Sequence, residues 1–299
     1  MTKLVINRSL LCESLDLGCT FSGRNKSLNV LDNVKVVFRG GSIVVSSFDS
    51  DNASAKRCVV LSQESFNDGD GFCVNPKDLS SVLKSFSDEN ATLEINDAKC
   101  KIKHSRGVVS LPVFDLNDFP AIPKDDIRFR LTLPSSIIGT WVSTARSFHS
   151  NDALFPALQG FCMTFDGNDI MFAATDRFKL FADTYTNDSS IGIDEKVSIV
   201  VHNKVFNPLL SLLSLDEKVD ITIGTTCVTF AVGDAKLNCR LIEGAYPNVK
   251  SIIPQTSVVD VEVPKSDLFD SVKRTLIVAN GSSRQLVFNV SNDTMHISA

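Results

Sequence analysis

Residues that could perform catalysis or bind a metal are scattered along the chain. The four histidines, His104, His149, His202 and His296, have no metal-ligand spacing, and no phosphate-binding loop, Gly-x-Gly-x-x-Gly, Gly-x-Ser-x-Gly or His-Glu-x-x-His motif occurs. The acidic segment 67–71 resembles a calcium loop but lacks the glutamate that binds calcium at the twelfth position. We therefore expect a turn there, and neither a cofactor nor a metal site.

Asp176, in the segment Ala-Thr-Asp-Arg-Phe, is the carboxylate that most invites a catalytic interpretation. No second carboxylate or base has a defined spacing to it. An aspartate beside a turn commonly accepts hydrogen bonds from the backbone two and three residues later, so we expect Asp176 to fix a turn. The sequence predicts a protein that is not an enzyme.

Basic side chains have a more regular distribution than the candidate catalytic groups. Five amphipathic segments contain eight basic and five acidic side chains, a net charge of +3, whereas the rest of the chain carries −8. The basic residues are Arg8, Lys77, Lys84, Arg146, Lys204, Lys265, Lys273 and Arg274. Such a distribution indicates weak, salt-sensitive attraction to phosphates, although the total charge of −5 is unlike that of a simple nucleic-acid binder.

The segments that carry these residues predict short helices. They begin near Asn7, Pro76, Pro134, His202 and Pro264, and their apolar residues recur three and four positions apart. After each helix come two runs of alternating β-forming residues with turn residues between them, which predicts a hairpin. Each unit is therefore a helix followed by a hairpin.

These units recur in pairs. Asn7 and Pro134 are 127 residues apart, Pro76 and His202 are 126 apart, and Pro134 and Pro264 are 130 apart. A fixed period indicates a repeat architecture. We expect an α+β protein with one domain over residues 1–126, a second over 127–253, and the first half of a third over 254–299.

Length and composition limit the class of protein. The 299 residues are 43% hydrophobic, but no apolar run approaches the ~20 residues that span a bilayer. The N-terminal segment contains charged residues among its apolar ones, unlike a signal peptide. The eight cysteines form no Cys-x-x-Cys motif and predict buried thiols. We expect a cytoplasmic protein with no membrane contact.

Four segments resemble bacterial beta sliding clamps, the beta subunits of DNA polymerase III. Ala174 to Phe181 (ATDRFKLF) is similar to an ATDGHRL-type motif of that family, and Leu241 to Pro254 (LIEGAYPNVKSIIP) to its linker between domains two and three. Val30 to Asn33 resembles a segment of the family's first domain, and Leu154 to Phe161 a strand entry in its second. The resemblance spans essentially the whole chain in order.

The resemblance implies a fold and a function. The family forms a ring of two protomers, each with three domains of two helices and two sheets, with helices inside and strands outside. It encircles duplex DNA without reading its sequence and tethers the polymerase, as a processivity factor in replication. The resemblance also implies a homodimer, if the third domain is complete. It further implies that the polymerase and the clamp loader bind through short peptides with Leu and Phe anchors.

Two groups of site residues follow from the resemblance. The DNA-facing residues are Arg24, Lys77, Lys84, Arg146, Lys204, Lys265 and Lys273. The peptide-binding groove comprises Leu158, Thr175, Arg177, Phe178, Lys179, Leu180, Pro247 and Ile252.

The chain departs from the family pattern at the groove. Arg177 and Phe178 stand where the family usually has Gly and His, Lys179 stands where it has Arg, and Ser251 stands where a basic residue is common. By this resemblance, the family's last strand and tail, which complete the groove, are not present in this chain. These departures predict an altered peptide preference and a chain that ends within its third domain.

Two alternatives remain open from the sequence. A clamp-like module from a phage, a plasmid or an engineered fragment would bind peptides without encircling DNA, and solution mass with peptide titration would distinguish it. A β-rich structural repeat protein of the cell surface would fit the abundant Ser and Asn, but the absence of an export signal and the helix-plus-hairpin units count against it.

Overall fold

A computed structural model describes the chain over residues 2–22, 29–65, 67–96, 98–121, 125–188, 191–193, 195–254, 256, 259–281, 284–291 and 294–299. Within it the chain forms two compact units, Met1–Pro247 and Asn248–Ala299. The predicted division into domains at residues 126 and 253 stays a prediction.

The helices of both units are short. They are α1 (Arg8–Gly18), α2 (Pro76–Lys84), α3 (Ser135–Ala145), α4 (Phe206–Leu213), α5 (Val249–Ile252) and α6 (Lys265–Leu276). The side chains of Asn7 and Asn75 cap α1 and α2 by accepting hydrogen bonds from backbone N–H groups of the first turn. The helix predicted to begin near His202 starts instead as a 3-10 turn at 203–205, which His202 caps through Nδ1, and continues as α4.

The strands pair with one another in antiparallel fashion. They are β1 (Thr2–Asn7), β2 (Val34–Arg39), β3 (Ser42–Phe48), β4 (Asn52–Glu64), β5 (Gly71–Val74), β6 (Asn90–Ile95), β7 (Lys99–His104), β8 (Gly107–Pro112), β9 (Ile127–Pro134), β10 (Gly160–Asp166), β11 (Asp169–Thr175), β12 (Leu180–Thr186), β13 (Val197–His202), β14 (Lys218–Gly224), β15 (Cys227–Val232), β16 (Ala235–Arg240), β17 (Val287–Ser291) and β18 (Thr294–Ser298). All five predicted hairpins form: β2–β3, β6–β7, β10–β11, β14–β15 and β17–β18. The helix-plus-hairpin prediction is confirmed.

One sheet runs through most of the first unit. Its main path is β8-β7-β6-β1-β4-β16-β15-β14-β9, and β3, β2 and β5 branch from β4. The long strand β4 makes this possible, because its start pairs with β16 (Ala53 opposite Asn238) while its end pairs with β1. A separate sheet has the order β12-β11-β10-β13.

Two large hydrophobic cores lie beneath these sheets, beside a smaller cluster of Leu31, Phe48, Ala53, Cys73 and Phe119. The first packs α1 and α2 against residues between Leu4 and Val113, and the second packs α3 and α4 against residues between Phe129 and Cys239. Trp141 of α3 is buried in the second core, stacks on Phe172 at 5.1 Å and donates a hydrogen bond to Asp183 at 2.7 Å. This packing fixes α3 on the sheet that carries the turn after β11.

The cysteines behave as small apolar residues. Six are buried, and only Cys19 and Cys227 are half-buried. Burial raises the pKa of Cys73 and Cys162 to about 11 and that of Cys100 to about 12. The predicted role of the cysteines as buried thiols is confirmed for these six.

The second unit contains α5, α6 and the β17–β18 hairpin. Its apolar side chains are unusually exposed: Phe269 of α6 is 63% accessible, and Ile277 just after the helix is 81% accessible. Among the described residues of α6, none is buried.

Candidate functional site

The turn between β11 and β12 organises the predicted groove residues. Thr175 and Leu180 form the last pair of the two strands, so residues 176–179 are the turn itself. Asp176 Oδ1 accepts hydrogen bonds from the N–H groups of Phe178 and Lys179, each at 3.0 Å. The predicted role of Asp176 in fixing a turn is confirmed.

The side chain of Thr175 also holds this turn, together with that of Asp176. The Thr175 hydroxyl donates to the Lys179 carbonyl at 2.8 Å and accepts from the Arg177 N–H at 3.1 Å. Burial opposes ionisation of Asp176, but the hydrogen bonds from Lys179 and Phe178 outweigh it, so the pKa of this carboxyl is lowered. The turn is therefore held by side chains as well as by the strand ladder.

Arg177 occupies a backbone conformation that favours glycine. Its φ is +82°, in the left-handed region where a side chain is strained. Its guanidinium lies over the ring of Phe155, 4.2 Å from the centroid, and 5.7 Å from the ring of Phe178. Cation–π contacts at exposed sites contribute about 0.5–1 kcal/mol each. The arginine is thus held in a glycine-like backbone conformation with its side chain stacked on an aromatic ring.

We call the concave surface beside this turn the basic recess. It has a volume of about 630 Å³. Its lining residues are Arg146, Ser147, His149, Ser150, Asn151, Asp152, Phe155, Asp176, Arg177, Phe178 and Lys179. The structure therefore brings three predicted groove residues together with Arg146, which the resemblance had placed among the DNA-facing residues.

The charges of the basic recess are partly paired. Lys179 Nζ lies 3.6 Å from Asp176 Oδ2, and 5.7 Å from the ring of Phe148. In the part of the chain that the structure describes, neither Arg146 nor Arg177 forms an ion pair with a carboxylate. Two guanidinium groups thus remain available to an anion.

The apolar groove residues differ in accessibility. Leu158 is buried at 5% exposure, whereas Leu180 and Pro247 are half-buried. Tyr246, next to Pro247, donates a hydrogen bond to the Ala173 carbonyl of β11 at 3.4 Å, and burial raises its pKa. Leu158 therefore belongs largely to the core, and Leu180 and Pro247 offer more surface.

The remaining groove residue is in the other unit. Ile252 ends α5 and is 52% exposed.

Sequence reasoning missed Leu154 and Phe155 as site residues, whereas Phe178 was among the predicted groove residues. Phe155 is 36% exposed beneath the Arg177 guanidinium, Leu154 is 81% exposed, and Phe178 is 89% exposed. The signal was present, because Leu154 and Phe155 stand together before Pro156 outside any regular apolar pattern. Exposed apolar residues in such a cluster are a common mark of a binding surface.

The predicted DNA-facing residues are exposed wherever they are described. Lys77 lies in the first turn of α2, Lys204 in the 3-10 turn before α4, and Lys265 and Lys273 on α6. Arg24 lies outside the described residues.

Lys84 differs from the other basic residues on the helices because it is paired. Its Nζ lies 2.8 Å from Asp16 Oδ1, and this hydrogen bond raises the pKa of Lys84. Ser80 also donates to Asp16. The pairing leaves Lys84 with less free positive charge than Lys77.

The acidic segment 67–71 is a turn, as predicted. Asp70 Oδ2 accepts from the Asn67 N–H at 2.8 Å, and Asp68 Oδ1 accepts from the Gly40 N–H at 2.9 Å. Over the described ranges, no cluster of three or more His, Cys, Asp or Glu has metal-binding geometry. Within the same ranges, no helix combines the length and apolarity needed to cross a bilayer.

Comparison with known families identifies the chain's relatives. Residues 2–123 match the N-terminal domain of the DNA polymerase III beta subunit, and residues 134–248 match its central domain. The chain belongs to the DNA polymerase III beta subunit family. Its function is that of a sliding clamp, a processivity factor in DNA replication, and the matches do not favour the non-encircling peptide-binding module.

Individual relatives agree with this assignment. The beta sliding clamp of Micrococcus luteus is 22% identical over 98% of this chain and 94% of its own length. The Pseudomonas aeruginosa sliding clamp bound to griselimycin superposes with a TM-score of 0.89 at 20% identity, covering 99% of this chain and 79% of that one. The Helicobacter pylori beta clamp bound to a DNA ligase peptide gives 0.87 at 17% identity, covering 99% and 80%. The predicted α+β clamp fold is confirmed.

Proposed function

We propose that this sliding clamp is a non-catalytic accessory subunit that closes around duplex DNA as a ring of two copies. The proposed domains are residues 1–126, 127–253 and 254–299, the last of which belongs to a third domain. Polymerase and clamp loader would bind through short peptides with Leu and Phe anchors. We also propose that it acts in the cytoplasm, as the sequence predicts.

The observation that carries the DNA-binding role is the placement of basic side chains. Lys77, Arg146 and Lys204 are exposed on or beside three helices of the first unit, and Lys265 and Lys273 are exposed on α6. The predicted helical segments carry +3, whereas the rest of the chain carries −8. Phosphate attraction of this kind is independent of base sequence and weakens with salt, which suits a contact that slides.

The peptide-binding role rests on the turn 176–179 and its surroundings. The solved Helicobacter pylori relative is bound to a DNA ligase peptide. We propose that Leu158, Thr175, Arg177, Phe178, Lys179, Leu180 and Pro247 of the first unit contribute to the corresponding groove here. Burying two apolar anchors contributes about 3–6 kcal/mol before the entropy of association is subtracted, so binding should be weak and exchangeable.

Solution mass tests the two-copy ring. Light scattering across a range of concentrations should give about twice the mass of one chain. A single-chain mass at every concentration would contradict the proposed ring.

Peptide titration tests the groove separately. Leu180→Asp should abolish binding of a peptide with Leu and Phe anchors, because it places a charge among half-buried apolar residues. Val59→Asp is the matched control, because Val59 is a 58% exposed β4 residue outside the basic recess. Equal loss with both variants would count against the groove.

A further inference from the structure

We propose that Arg177 and Arg146 make this clamp select peptides that carry a carboxylate beside the aromatic anchor. The inference rests on the proposed peptide-binding function and names the class of partner that the site prefers. It follows from the geometry of the basic recess.

The conformation of Arg177 is the first observation. Non-glycine residues with φ near +80° are strained and persist where the surrounding structure holds them. Here Thr175 accepts the Arg177 N–H, and Asp176 accepts the next two N–H groups. The arginine backbone is therefore fixed, which limits where its guanidinium can lie.

The position of the guanidinium is the second observation. It lies 4.2 Å above the centroid of the Phe155 ring, so one face of the planar group is covered while its N–H edge stays available. An arginine whose plane is fixed in this way can bind a carboxylate through two parallel hydrogen bonds. A lysine or glycine at this position could not present the same fork.

The charge balance of the basic recess is the third observation. Lys179 is already paired with Asp176, and Asp152 Oδ1 accepts the Leu154 N–H. Arg146 and Arg177 have no carboxylate partner among the residues that the structure describes. The recess therefore carries a net charge of +1, from three basic and two acidic lining residues, and within the described part of the chain its two arginines are in no ion pair.

The exposed ring of Phe178 offers a contact for the aromatic anchor of the peptide, beside these charged groups. Phe178 is 89% exposed at the tip of the turn and lies 5.7 Å from the Arg177 guanidinium. A peptide phenylalanine packed on Phe178 would bring a neighbouring aspartate or glutamate within reach of Arg177. The arrangement fits a short segment with adjacent aromatic and acidic residues.

A peptide fits this recess better than a nucleic-acid strand. Both supply anions, but a strand carries a phosphate at every nucleotide, and Asp152 and Asp176 lie in the same recess. Those carboxylates would repel an extended row of phosphates, whereas a peptide brings a single carboxylate to the exposed guanidinium of Arg177.

Fluorescence anisotropy tests the selection with two labelled peptides. Both carry a Leu and a Phe anchor, and they differ only in Asp or Asn next to the Phe. We expect wild-type protein to bind the Asp peptide about three- to tenfold more tightly, as for a partly exposed arginine–carboxylate pair. This preference should shrink as salt is raised.

Variants assign the preference to the two arginines. Arg177→Gly should remove most of the preference for the Asp peptide over the Asn peptide, and Arg146→Gln should reduce that preference. Glycine suits φ +82°, so loss of folding is not expected. Arg130→Gln is the control for net charge, because Arg130 is exposed on β9 outside the basic recess and should leave the preference unchanged.

Four results would overturn the inference. Equal affinity of wild type for both peptides would remove the selection and leave the peptide-binding function standing. Failure of both peptides to bind would remove the peptide-binding function itself. A similar loss for both peptides in Arg177→Gly would give Arg177 a structural role. Displacement of the Asp peptide by a single-stranded oligonucleotide whose binding requires Arg177 would assign the recess to nucleic acid.

Discussion

Replacing Asp176 by alanine should destabilise the first unit by about 2 kcal/mol. The variant loses two hydrogen bonds of 3.0 Å, from the N–H groups of Phe178 and Lys179. Hydrogen bonds to a charged group contribute about 1.5–3 kcal/mol each, but the carboxylate is 24% exposed and water partly replaces them, so we take about 1 kcal/mol for each.

The assay is urea unfolding followed by tryptophan fluorescence. Trp141 is the only tryptophan of the chain, and it stacks on Phe172 of β11, the strand that leads into the turn. Asp176→Asn retains one oxygen acceptor without the charge, so it should lose about half as much stability. A loss below about 0.5 kcal/mol for alanine, or an asparagine variant as unstable as alanine, would refute this reasoning.

The difference in the free energy of unfolding between wild type and Asp176→Ala should depend on pH. The pKa of Asp176 is lowered in the folded protein, so the carboxylate contributes stability above its unfolded pKa of about 3.9. That contribution is lost as pH falls through the folded pKa. The difference between wild type and Asp176→Ala should therefore narrow at about pH 3 and be constant from about pH 5 to 8.

Three further predictions address the core, the DNA-facing helices and the thiols. Leu209→Ala should lower the free energy of unfolding by about 2–5 kcal/mol in the same urea assay, because Leu209 is fully buried in α4; a loss below about 1 kcal/mol would contradict its core role. Lys77→Gln should reduce the salt dependence of DNA affinity by about one unit of slope, and Lys84→Gln by less, because Lys84 is already paired; equal effects would argue against this difference. Brief alkylation of native protein should modify mainly Cys19 and Cys227, and mass spectrometry that finds buried thiols equally modified would contradict the packing.

The sequence predicted the local elements well because their signals are local. Apolar spacing of three and four residues marked the helices, and alternation with turn residues marked the hairpins. The start of the fourth helix was displaced, since residues 203–205 form a 3-10 turn capped by His202. The role of Asp176 was also predictable, because its partners are two and three residues away.

The parts of the structure that depend on distant residues were not predictable in this way. The pairing of β4 with β16 joins segments some 180 residues apart, and the sequence pattern of neither strand identifies the strand with which it pairs. The basic recess combines the end of α3, the segment before Pro156 and the turn after β11, so the stacking of Arg177 on Phe155 required the fold. The Lys84–Asp16 pair likewise joins two helices.

Retention on circular DNA is the most direct test of whether this protein encircles duplex DNA. The protein, loaded by its cognate loader onto a nicked circular plasmid, should remain bound after a wash in high salt, because a closed ring is held topologically rather than by phosphate contacts. Cutting the plasmid once should release it. Equal loss from circular and linear DNA would contradict encirclement and leave only a peptide-binding role.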